Sequence, residues 1–402
     1  MGNEFLEELI IKNDSKIVFL IMDGLGGLPM EEHGKTELAT ANTPNLDKLA
    51  ARSVCGMLDP VMPGVTPGSG PGHLALFGYE PIKYNIGRGV LSALGIGFDL
   101  KKGDVCARIN FATIDNKTGK IIDRRAGRIK TEENSRVCKK LREKLKIEGA
   151  ELFIETVKEH RAALILRGQG LEDHILDTDP QQNGYPPLPP EVTDQNSDKT
   201  KKIVSNIINQ AKEILKDEKA ANILLFRGFA RYKPHKSMEE RFGLKSLAIA
   251  QYPMYKGLAR LLGMDVAPQP QTLEEEITLL EANFNKYDFF FVHFKKTDSL
   301  GEDGNFKAKV KEIEKIDRLI PGVLRLRPDV VAVSCDHSTP SRLKAHSWHP
   351  APTILYSQYC RVDDVKRFDE LSCIKGGLGR MPTANLIGIA LANALRLKKF
   401  GA

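Results

Sequence analysis

Acidic or imidazole side chains follow three apolar runs of the sequence. The runs and the residues after them are Ile17–Met22 with Asp23, Phe289–Phe294 with Asp298, and Val330–Cys335 with Asp336 and His337. Such runs are typical of buried strands, and open α/β sheets bind ligands beyond the carboxyl ends of their strands. Carboxylate and imidazole ligands together suit Mn²⁺, Mg²⁺, Zn²⁺ or Co²⁺. With His346 as a further imidazole, the set predicts two metal ions, an arrangement that stabilises phosphoryl transfer.

A loop rich in glycine and proline, residues 63–73, provides the second chemical signal. Its glycines permit a close approach of backbone to an anion. The apolar run at 74–77 predicts a helix after the loop, so Ser69 is expected near a helix N-terminus, where a phosphate is favoured. A serine hydroxyl becomes nucleophilic when a base or a metal lowers its pKa. Taken alone, the loop is equally typical of a solvated surface turn.

Strands and helices alternate in the outer parts of the sequence. A fourth apolar run at 352–356 predicts another strand, and helices are predicted at 43–52, 306–319 and 383–399, the last with Thr383 as its cap. This alternation indicates an α/β sheet covered by helices on both faces. An aspartate after one strand is more often a turn or cap than a ligand, so the metal prediction depends on the whole set.

The middle of the sequence differs from its flanks. Residues 101–234 carry interrupted apolar runs, helix patterns at 132–146 and 199–216, and a proline-rich loop at 181–190. We interpret this stretch as a smaller α+β domain inserted into a discontinuous domain formed by residues 1–100 and 235–402. The expected hinges lie near Leu100 and at 233–239.

Composition limits the classes of function. The chain has 402 residues, a net charge of +7 and six scattered cysteines, with no Cys-x-x-Cys pair. No apolar run approaches the roughly 20 residues that cross a bilayer. Neither a signal peptide nor a disulfide framework is indicated, so we expect a cytoplasmic protein without a membrane partner. Because lysine and arginine are dispersed, nucleic acid is not the expected ligand, and the positive charge fits equally well with attraction of a small phosphorylated anion.

Several motifs, in this order, resemble one family. They are 21–27 (IMDGLGG), 42–47 (NTPNLD), 68–74 (GSGPGHL), 78–81 (GYEP), 87–89 (GRG), 123–128 (DRRAGR), 160–161 (HR), 177–180 (DTDP), 295–298 (KKTD) and 336–340 (DHSTP). The chain is similar to the archaeal-type, cofactor-independent phosphoglycerate mutases of the alkaline phosphatase superfamily, over nearly its whole length. The resemblance implies an alkaline-phosphatase-like sheet with an inserted domain.

The resemblance also implies roles for individual residues. Ser69 would carry the phosphoryl group between the two hydroxyls of glycerate and would also bind a metal. The implied cofactors are two divalent ions, preferably Mn²⁺, although Mg²⁺, Co²⁺ and Zn²⁺ remain open. The implied ligands are Asp23, Asp336, His337 and Ser69 for one ion, and Asp298 and His346 for the other.

One position departs from the family pattern Asp-x-x-Gly-His. The sequence here is Asp298-Ser299-Leu300-Gly301-Glu302, so that Glu302 stands where the pattern has a histidine ligand. Three interpretations remain open. In the first, Glu302 itself binds the second ion, since carboxylates bind Mn²⁺. In the second, His349 replaces the missing histidine ligand. In the third, the second ion binds weakly or not at all.

Basic residues are the candidates for binding a substrate that carries phosphate and carboxylate groups. Arg124, Arg125, Arg128 and Arg161 lie in family-like motifs, and Arg227 is a weaker candidate. Lys256 is a candidate for stabilising the transferring phosphate or activating the serine. His73 would orient the loop or the substrate, and His160 would shuttle protons or support the inserted domain.

Two other functions remain open. The same metal and serine centre could act as a phosphomonoesterase if water resolved the phosphoserine. A non-catalytic metabolite-binding protein is the alternative from another class, favoured only by Glu302. The sequence leaves open the oligomeric state, the metal and the direction of the reaction.

Overall fold

The structure, a computed structural model, describes residues 3–30, 34–84 and 86–401. The chain divides into two compact units. Unit 1 comprises Met1–Asn85, Lys236–Tyr255 and Leu262–Ala402, and unit 2 comprises Ile86–His235 and Lys256–Leu261. Among the described helices, none combines the length and the apolar character that crossing a membrane requires.

Strands are distributed over both units. In chain order they are β1 (Ile17–Met22), β2 (Val54–Asp59), β3 (Val105–Ile114), β4 (Ile121–Asp123), β5 (Glu151–Lys158), β6 (Arg161–Arg167), β7 (Ile223–Arg231), β8 (Ser246–Ala250), β9 (Asp265–Val266), β10 (Phe289–Phe294), β11 (Val330–Ser334), β12 (Ala351–Ser357) and β13 (Gly379–Pro382).

The α-helices alternate with these strands. They are α1 (Glu37–Thr40), α2 (Pro44–Ala50), α3 (Ser69–Leu76), α4 (Arg88–Gly95), α5 (Thr131–Lys144), α6 (Asp198–Leu215), α7 (Met238–Phe242), α8 (Pro253–Leu261), α9 (Leu273–Asn283), α10 (Lys296–Glu302), α11 (Phe306–Asp317), α12 (Ile320–Arg325), α13 (Glu370–Cys373) and α14 (Leu386–Asn393). Short 3₁₀ turns precede α14 at Thr383–Asn385 and α6 at Gln195–Ser197.

Unit 1 is built on a mixed sheet of eight strands in the order β13-β2-β12-β11-β1-β10-β8-β9. The strands from β11 to β9 run parallel, whereas β12 is antiparallel to both of its neighbours. Helices α2, α9, α13 and α14 pack against these strands. The predicted α/β class, with a helix-covered central sheet, is confirmed.

The apolar runs become the centre of this sheet because both of its faces are covered. Every residue of β1, β10 and β11 is buried. Strand β1 lies between the other two, and both pair with it in parallel, so that Ile21 faces His293 on one side and Ser334 on the other. The three carboxyl ends therefore open at one edge, which brings Asp23, Asp298 and Asp336 together.

Unit 2 contains an antiparallel sheet in which β3 pairs with β4, β6 and β7, and β5 pairs with β6. Helix α5 packs on β5, and α6 packs on β7. Their apolar faces share one core with the strands, which includes Phe111, Val137, Leu164 and Ile207. This unit thus has a hydrophobic core of its own.

The predicted C-terminal helix is wrong in its second half. The α-helix ends at Asn393, and Leu395 adopts a left-handed backbone with φ +53°. Arg396 is buried and donates to the backbone oxygens of Asn13 and Ser15, at 2.6 and 2.9 Å. These tertiary contacts replace the helix that the apolar pattern favoured. Thr383 is buried and does not cap the helix with its side chain.

The central position of β1 leads to a stability prediction. Leu20 is 1% exposed, and its replacement by alanine leaves a cavity, so we expect Leu20→Ala to lower the free energy of unfolding by about 2–5 kcal/mol. The measurement is urea unfolding followed by circular dichroism. Leu371→Ala is the control, because Leu371 is 72% exposed and its loss should cost less than about 0.5 kcal/mol. Equal effects would contradict a core centred on β1.

Candidate metal centre and active site

The first candidate metal site is formed by Asp23, Asp336 and His337, which are completely buried at the carboxyl edge of the unit 1 sheet. His337 Nε2 lies 3.3 Å from Asp23 Oδ1 and 3.0 Å from Asp336 Oδ2. Ser69 Oγ lies 3.2 Å from the same nitrogen. The residues predicted for the first ion thus converge on one point, although they come from three separate segments of the chain.

Ser69 is held there because it begins helix α3. Pro71 fits the first turn, where its missing N–H would have no helical partner. Gly72 allows the helix to touch the strand end, since a Cβ at this position would lie 2.2 Å from the Asp336 carbonyl oxygen. The hydroxyl therefore sits at a helix N-terminus, where free N–H groups and the helix dipole favour a phosphate.

The second candidate site contains Asp298 and His346. His346 Nε2 lies 3.6 Å from Asp298 Oδ1, and the His346 ring stacks on His337 with 3.6 Å between the ring centroids. His346 Nδ1 faces the Pro67 carbonyl oxygen at 2.9 Å. Because that oxygen can only accept, Nδ1 carries the proton and Nε2 is left as the metal-binding atom.

His337 can bind a metal ion in only one of the two candidate sites. Thr339 Oγ1 donates to Asp298 Oδ1 at 2.6 Å and lies 3.0 Å from His337 Nδ1. Since the threonine proton is directed to Asp298, the threonine oxygen accepts from His337 Nδ1–H. The lone pair of His337 is therefore on Nε2, in the first site, and the Asp298 site depends on other ligands.

Buried atoms without hydrogen bonds support metal binding at this centre. Asp23 Oδ1 and Asp336 Oδ2 have no hydrogen-bond partner although both are buried. Buried carboxylate oxygens normally have partners, because leaving one without a partner costs about 1–3 kcal/mol or more. Both oxygens lie within 3.3 Å of His337 Nε2, which is also 3.2 Å from Ser69 Oγ, so a divalent ion bound among these atoms would give both oxygens a partner.

A layer of side chains behind the ligands orients the carboxylates, and the sequence analysis missed it. Lys295 Nζ donates to Asp23 Oδ2 at 3.1 Å and to Asp298 Oδ2 at 2.5 Å. The Tyr255 hydroxyl also donates to Asp23 Oδ2, and His293 Nε2 lies 3.2 Å from the same oxygen. The Oδ2 atom of Asp23 is thus engaged on one side, which leaves Oδ1 directed at His337.

Signals for this layer were present in the sequence. Lys295 precedes Asp298 by one helical turn, a spacing at which side chains meet. His293 lies in β10 directly opposite Ile21 of β1, which places it close to Asp23. Tyr255 had no such signal, because its partner Asp23 is 232 residues away in sequence.

His73 lies beneath the ligands. It is completely buried, and its Nδ1 lies 2.8 Å from the Ser69 carbonyl oxygen and 3.1 Å from Asp336 Oδ2. Its ring stacks on Tyr255 at 4.4 Å. This position favours the loop-orienting role among the two roles predicted for His73, and direct contact with substrate stays a prediction.

Glu302 and His349 differ in their relation to the second site. Glu302 Oε1 lies 3.9 Å from His346 Nε2, at the exposed margin of the site. His349 Nδ1 instead lies 3.0 Å from Ser347 Oγ, and the ring stacks on Trp348. Of the two predicted substitutes for the missing histidine, Glu302 has the more favourable position.

Electrostatics keep the carboxylates of Asp23 and Asp336 ionised. Burial and the Asp336 carboxylate oppose ionisation of Asp23, but Lys295 and His293 outweigh them, and the pKa of Asp23 is lowered to about 2. Burial also opposes protonation of His337, yet Asp336, Asp23 and Asp298 raise its pKa to about 8. Below that pH a proton therefore occupies the imidazole that a metal ion would bind.

In unit 2, several arginines surround His160. Burial, followed by the charges of Arg161, Arg125, Arg128 and Arg108, lowers the pKa of His160 to about 4. Arg125 and Arg128 flank a tight turn in which Ala126, Gly127 and Arg128 all have positive φ. An excess of cations around a neutral histidine is suited to binding an anion.

Two further arginines of unit 2 lie on facing strands. Arg108 of β3 is directly opposite Arg227 of β7, an arrangement that is destabilising unless negative charge is near. Arg227 lies 3.5 Å from Asp177 and 3.7 Å from Asp179. The sequence analysis missed Arg108, because a single arginine within a strand pattern gives no signal.

Arg124 and Lys256 have other surroundings. Arg124 makes two hydrogen bonds of 2.8 Å to Asp179 and a third, of 2.7 Å, to the Gln181 carbonyl oxygen. This pairing favours a structural role, and substrate contact by Arg124 stays a prediction. Lys256 is 8% exposed, and burial and Arg260 lower its pKa. Its predicted role at the serine also stays a prediction.

A third group of possible ligands lies in unit 2. Glu172, Asp173 and His174 are close enough to share an ion. However, Arg231 already occupies both carboxylates, through Nη1 to Glu172 at 2.6 Å and through its backbone N–H to Asp173 at 2.7 Å. The group is therefore explained by an ion pair on the surface of unit 2.

Comparisons with known proteins agree on one family. Residues 50–221 match the family described as 2,3-bisphosphoglycerate-independent phosphoglycerate mutase. A protein of Thermus thermophilus described as a probable member is 51% identical over 401 residues, covering 99% of this chain and 98% of its own. One of Aquifex aeolicus with the same description is 52% identical over 408 residues, covering 99% of this chain and 100% of its own.

Solved structures show the same fold. A protein from Pyrococcus horikoshii superposes with a TM-score of 0.83 at 31% identity, covering 97% of this chain and 100% of its own. A cofactor-independent phosphoglycerate mutase from Thermoplasma acidophilum superposes with a TM-score of 0.72 at 31% identity, covering 94% of this chain and 100% of its own.

The two neighbouring histidines allow a test of the second site. We expect His346→Ala to lower the affinity of the second site for its metal ion, because the imidazole is part of that site. The loss should exceed the roughly 10–100-fold that follows removal of a residue hydrogen-bonded to a metal ligand. His349→Ala is the matched control and should leave both ions bound. Isothermal titration with Mn²⁺ and elemental analysis measure the outcome. Equal metal loss in both variants would contradict this assignment.

Protonation of His337 makes metal binding depend on pH. Because the proton must leave before a metal binds Nε2, the apparent affinity of the first ion should rise about tenfold per pH unit below pH 8 and level off above it. Titration in two buffers of different ionisation enthalpy should show about one proton released per ion at pH 7. An affinity that is constant from pH 6 to 9 would contradict the raised pKa.

Proposed function

Because the chain belongs to the family of 2,3-bisphosphoglycerate-independent phosphoglycerate mutases, we propose that it interconverts 3-phosphoglycerate and 2-phosphoglycerate through a phosphoserine at Ser69. The observation that carries this proposal is the position of the Ser69 hydroxyl. It lies at the N-terminus of α3 and 3.2 Å from His337 Nε2, beside two buried carboxylates that lack hydrogen-bond partners on one oxygen each.

The reaction requires two phosphoryl transfers, one from the substrate to Ser69 and one from Ser69 back to glycerate. First, Ser69 Oγ attacks the phosphorus of 3-phosphoglycerate, the bond from phosphorus to the C3 oxygen breaks, the serine loses its proton and the C3 oxygen gains one. The C2 hydroxyl then loses its proton and attacks the phosphoserine, the bond from phosphorus to Oγ breaks, and the serine oxygen gains a proton. No bisphosphoglycerate is consumed.

The residues of unit 1 fit the proposed cofactors. Asp23, Asp336, His337 and Ser69 would hold one divalent ion, and Asp298, His346 and Glu302 the other, with Mn²⁺ the proposed metal because oxygen ligands predominate. Ions bound there would lower the pKa of the serine hydroxyl and neutralise charge on the phosphoryl oxygens. Lys295 and Tyr255 hold Asp23 so that one of its oxygens remains available.

Unit 2 is the proposed substrate-binding domain. Arg125, Arg128 and Arg161 concentrate positive charge around His160, and guanidinium groups bind carboxylates in a bidentate manner. We propose that they hold the carboxylate of glycerate while its hydroxyls exchange places. Retention of glycerate is essential, since its escape would leave phosphoserine to hydrolysis. The predicted location in the cytoplasm is in keeping with this reaction.

Replacement of the nucleophile is the direct test. Ser69→Ala should lower the conversion of 3-phosphoglycerate to 2-phosphoglycerate by about 10³-fold or more, measured in an enolase-coupled assay without bisphosphoglycerate. Thr66→Ala is the control, because this exposed hydroxyl lies in the same loop and its loss should change the rate by less than about twofold. Chelation should abolish the wild-type activity, and Mn²⁺ should restore it.

The same assay separates the other functions. Free phosphate released as fast as 2-phosphoglycerate forms would identify a phosphomonoesterase. Absence of turnover, with one ion or none bound, would identify a non-catalytic binding protein. A normal rate in Ser69→Ala would overturn the proposed role of the serine.

A further inference from the structure

Lys309 is a buried cation that lies outside the proposed ligand set. It projects from α11 on the face that also carries Phe306 and Ile313, and its side chain is completely inaccessible to solvent. Lysine is almost never buried to this extent unless it is paired. A core position that contains a lysine therefore requires a specific explanation.

The ammonium group binds three backbone carbonyl oxygens. Lys309 Nζ lies 2.8 Å from the oxygen of Gly24, 2.8 Å from that of Thr339 and 3.4 Å from that of Gly26. An ammonium has three N–H groups, so the number of donors equals the number of acceptors. Two of the oxygens belong to the loop that begins at Asp23, and the third belongs to the loop that contains His337.

These two loops are also bonded to each other. The Thr339 N–H is shared between the oxygens of Gly24, at 3.2 Å, and Gly26, at 3.1 Å. Gly24 has φ +64°, and a Cβ at Gly26 would lie 2.0 Å from Ser338 Oγ. The close contact directs several carbonyl dipoles at one point, and a cation at that point offsets their mutual repulsion.

Two glutamates bind the segments around this ammonium, and one of them, Glu37, is completely buried. Glu37 Oε1 lies 4.0 Å from Lys309 Nζ and accepts the Ser341 N–H at 2.8 Å. Glu370 accepts the Gly27 N–H at 2.9 Å and the Thr36 hydroxyl at 2.7 Å. Both glutamates thus bind the same two loops or the segments that continue them. None of the three charged residues is a proposed metal ligand.

We propose that Lys309 is a positioning residue of the metal centre, which fixes the loop of Asp23 against the loop of Asp336 and His337 by binding their carbonyl oxygens. Its role is to hold the ligands of the first ion at their mutual distances, and it does not touch substrate. The inference rests on the proposed function, because it assumes that these ligands bind a metal ion.

The test separates positioning from a purely structural role. Lys309→Met removes the ammonium but leaves Glu37 buried without its cation, which should destabilise the fold. The double variant Lys309→Met/Glu37→Gln removes both charges and should recover much of that stability. Lys311→Met is the matched control, because it makes the same change of charge at an exposed position of the same helix.

Manganese affinity is measured by isothermal titration at a temperature at which circular dichroism shows each variant to be folded. We expect the first ion to bind 10–100-fold more weakly, as an order-of-magnitude estimate, in both variants that lack Lys309. The double variant should still bind manganese weakly, although its thermal stability recovers. The kcat should fall with little change in the KM for 3-phosphoglycerate, and Lys311→Met should resemble the wild type.

Three outcomes would overturn the inference. Recovery of wild-type metal affinity in the double variant would show that Lys309 only neutralises the charge of Glu37. Unchanged affinity in Lys309→Met would exclude any role at the centre. A double variant that does not fold would show a requirement in folding itself. A wild-type protein that binds no metal would instead refute the proposed function, which is a distinguishable result.

Discussion

Three carboxylates share one buried edge of the unit 1 sheet, and their mutual repulsion is the constraint on which the rest of the site depends. Asp23, Asp298 and Asp336 are at most 1% exposed. Burial of each charge costs several kcal/mol, as an order of magnitude, unless opposite charge is close. Lys295 lies between two of them, and His337 contacts two. The arrangement is therefore stable only where cations are supplied.

The positive charges near the metal centre contact different oxygens of the carboxylates. Lys295 contacts Oδ2 of Asp23 and Oδ2 of Asp298, whereas Oδ1 of Asp23 faces the imidazole of His337. The fixed ammonium thus orients the carboxylates without occupying the positions proposed for metal ions. The raised pKa of His337 has the same origin, since a proton there is a weaker substitute for a divalent cation.

The sequence indicated the candidate ligands more readily than the side chains that support them, for a physical reason. Asp23, Asp298 and Asp336 follow apolar runs, and parallel pairing of β1 with β10 and β11 necessarily brings their ends together. Ser69 was identifiable because glycine, proline and serine have strong local preferences. Tyr255 and Lys309 could not be identified in this way. Their roles arise from contacts 232 and 285 residues away, and a lysine is counted as polar in every periodic pattern.

The same reasoning explains why the C-terminal helix was predicted too long. Its apolar residues favour a helix to residue 399, but the guanidinium of Arg396 is completely buried and reaches the carbonyl oxygens of Asn13 and Ser15. Local propensity amounts to less than about 1 kcal/mol per residue, whereas an unpaired buried guanidinium would cost several kcal/mol. The tertiary contact therefore determines where the helix ends.

Glu302 is the position at which the sequence departs from the expected pattern Asp-x-x-Gly-His, and its exposure explains why a change there is tolerable. The glutamate lies at the exposed margin of the second site, 3.9 Å from His346 Nε2, whereas Asp23, Asp336 and His337 of the first site are completely buried. A carboxylate at an exposed margin keeps its hydration and loses little on replacing an imidazole. At His337, which is completely buried, the same exchange would place a further carboxylate beside those of Asp23 and Asp336. The completely buried residues of the first site are therefore more strongly constrained by their neighbours than Glu302 at the margin of the second site.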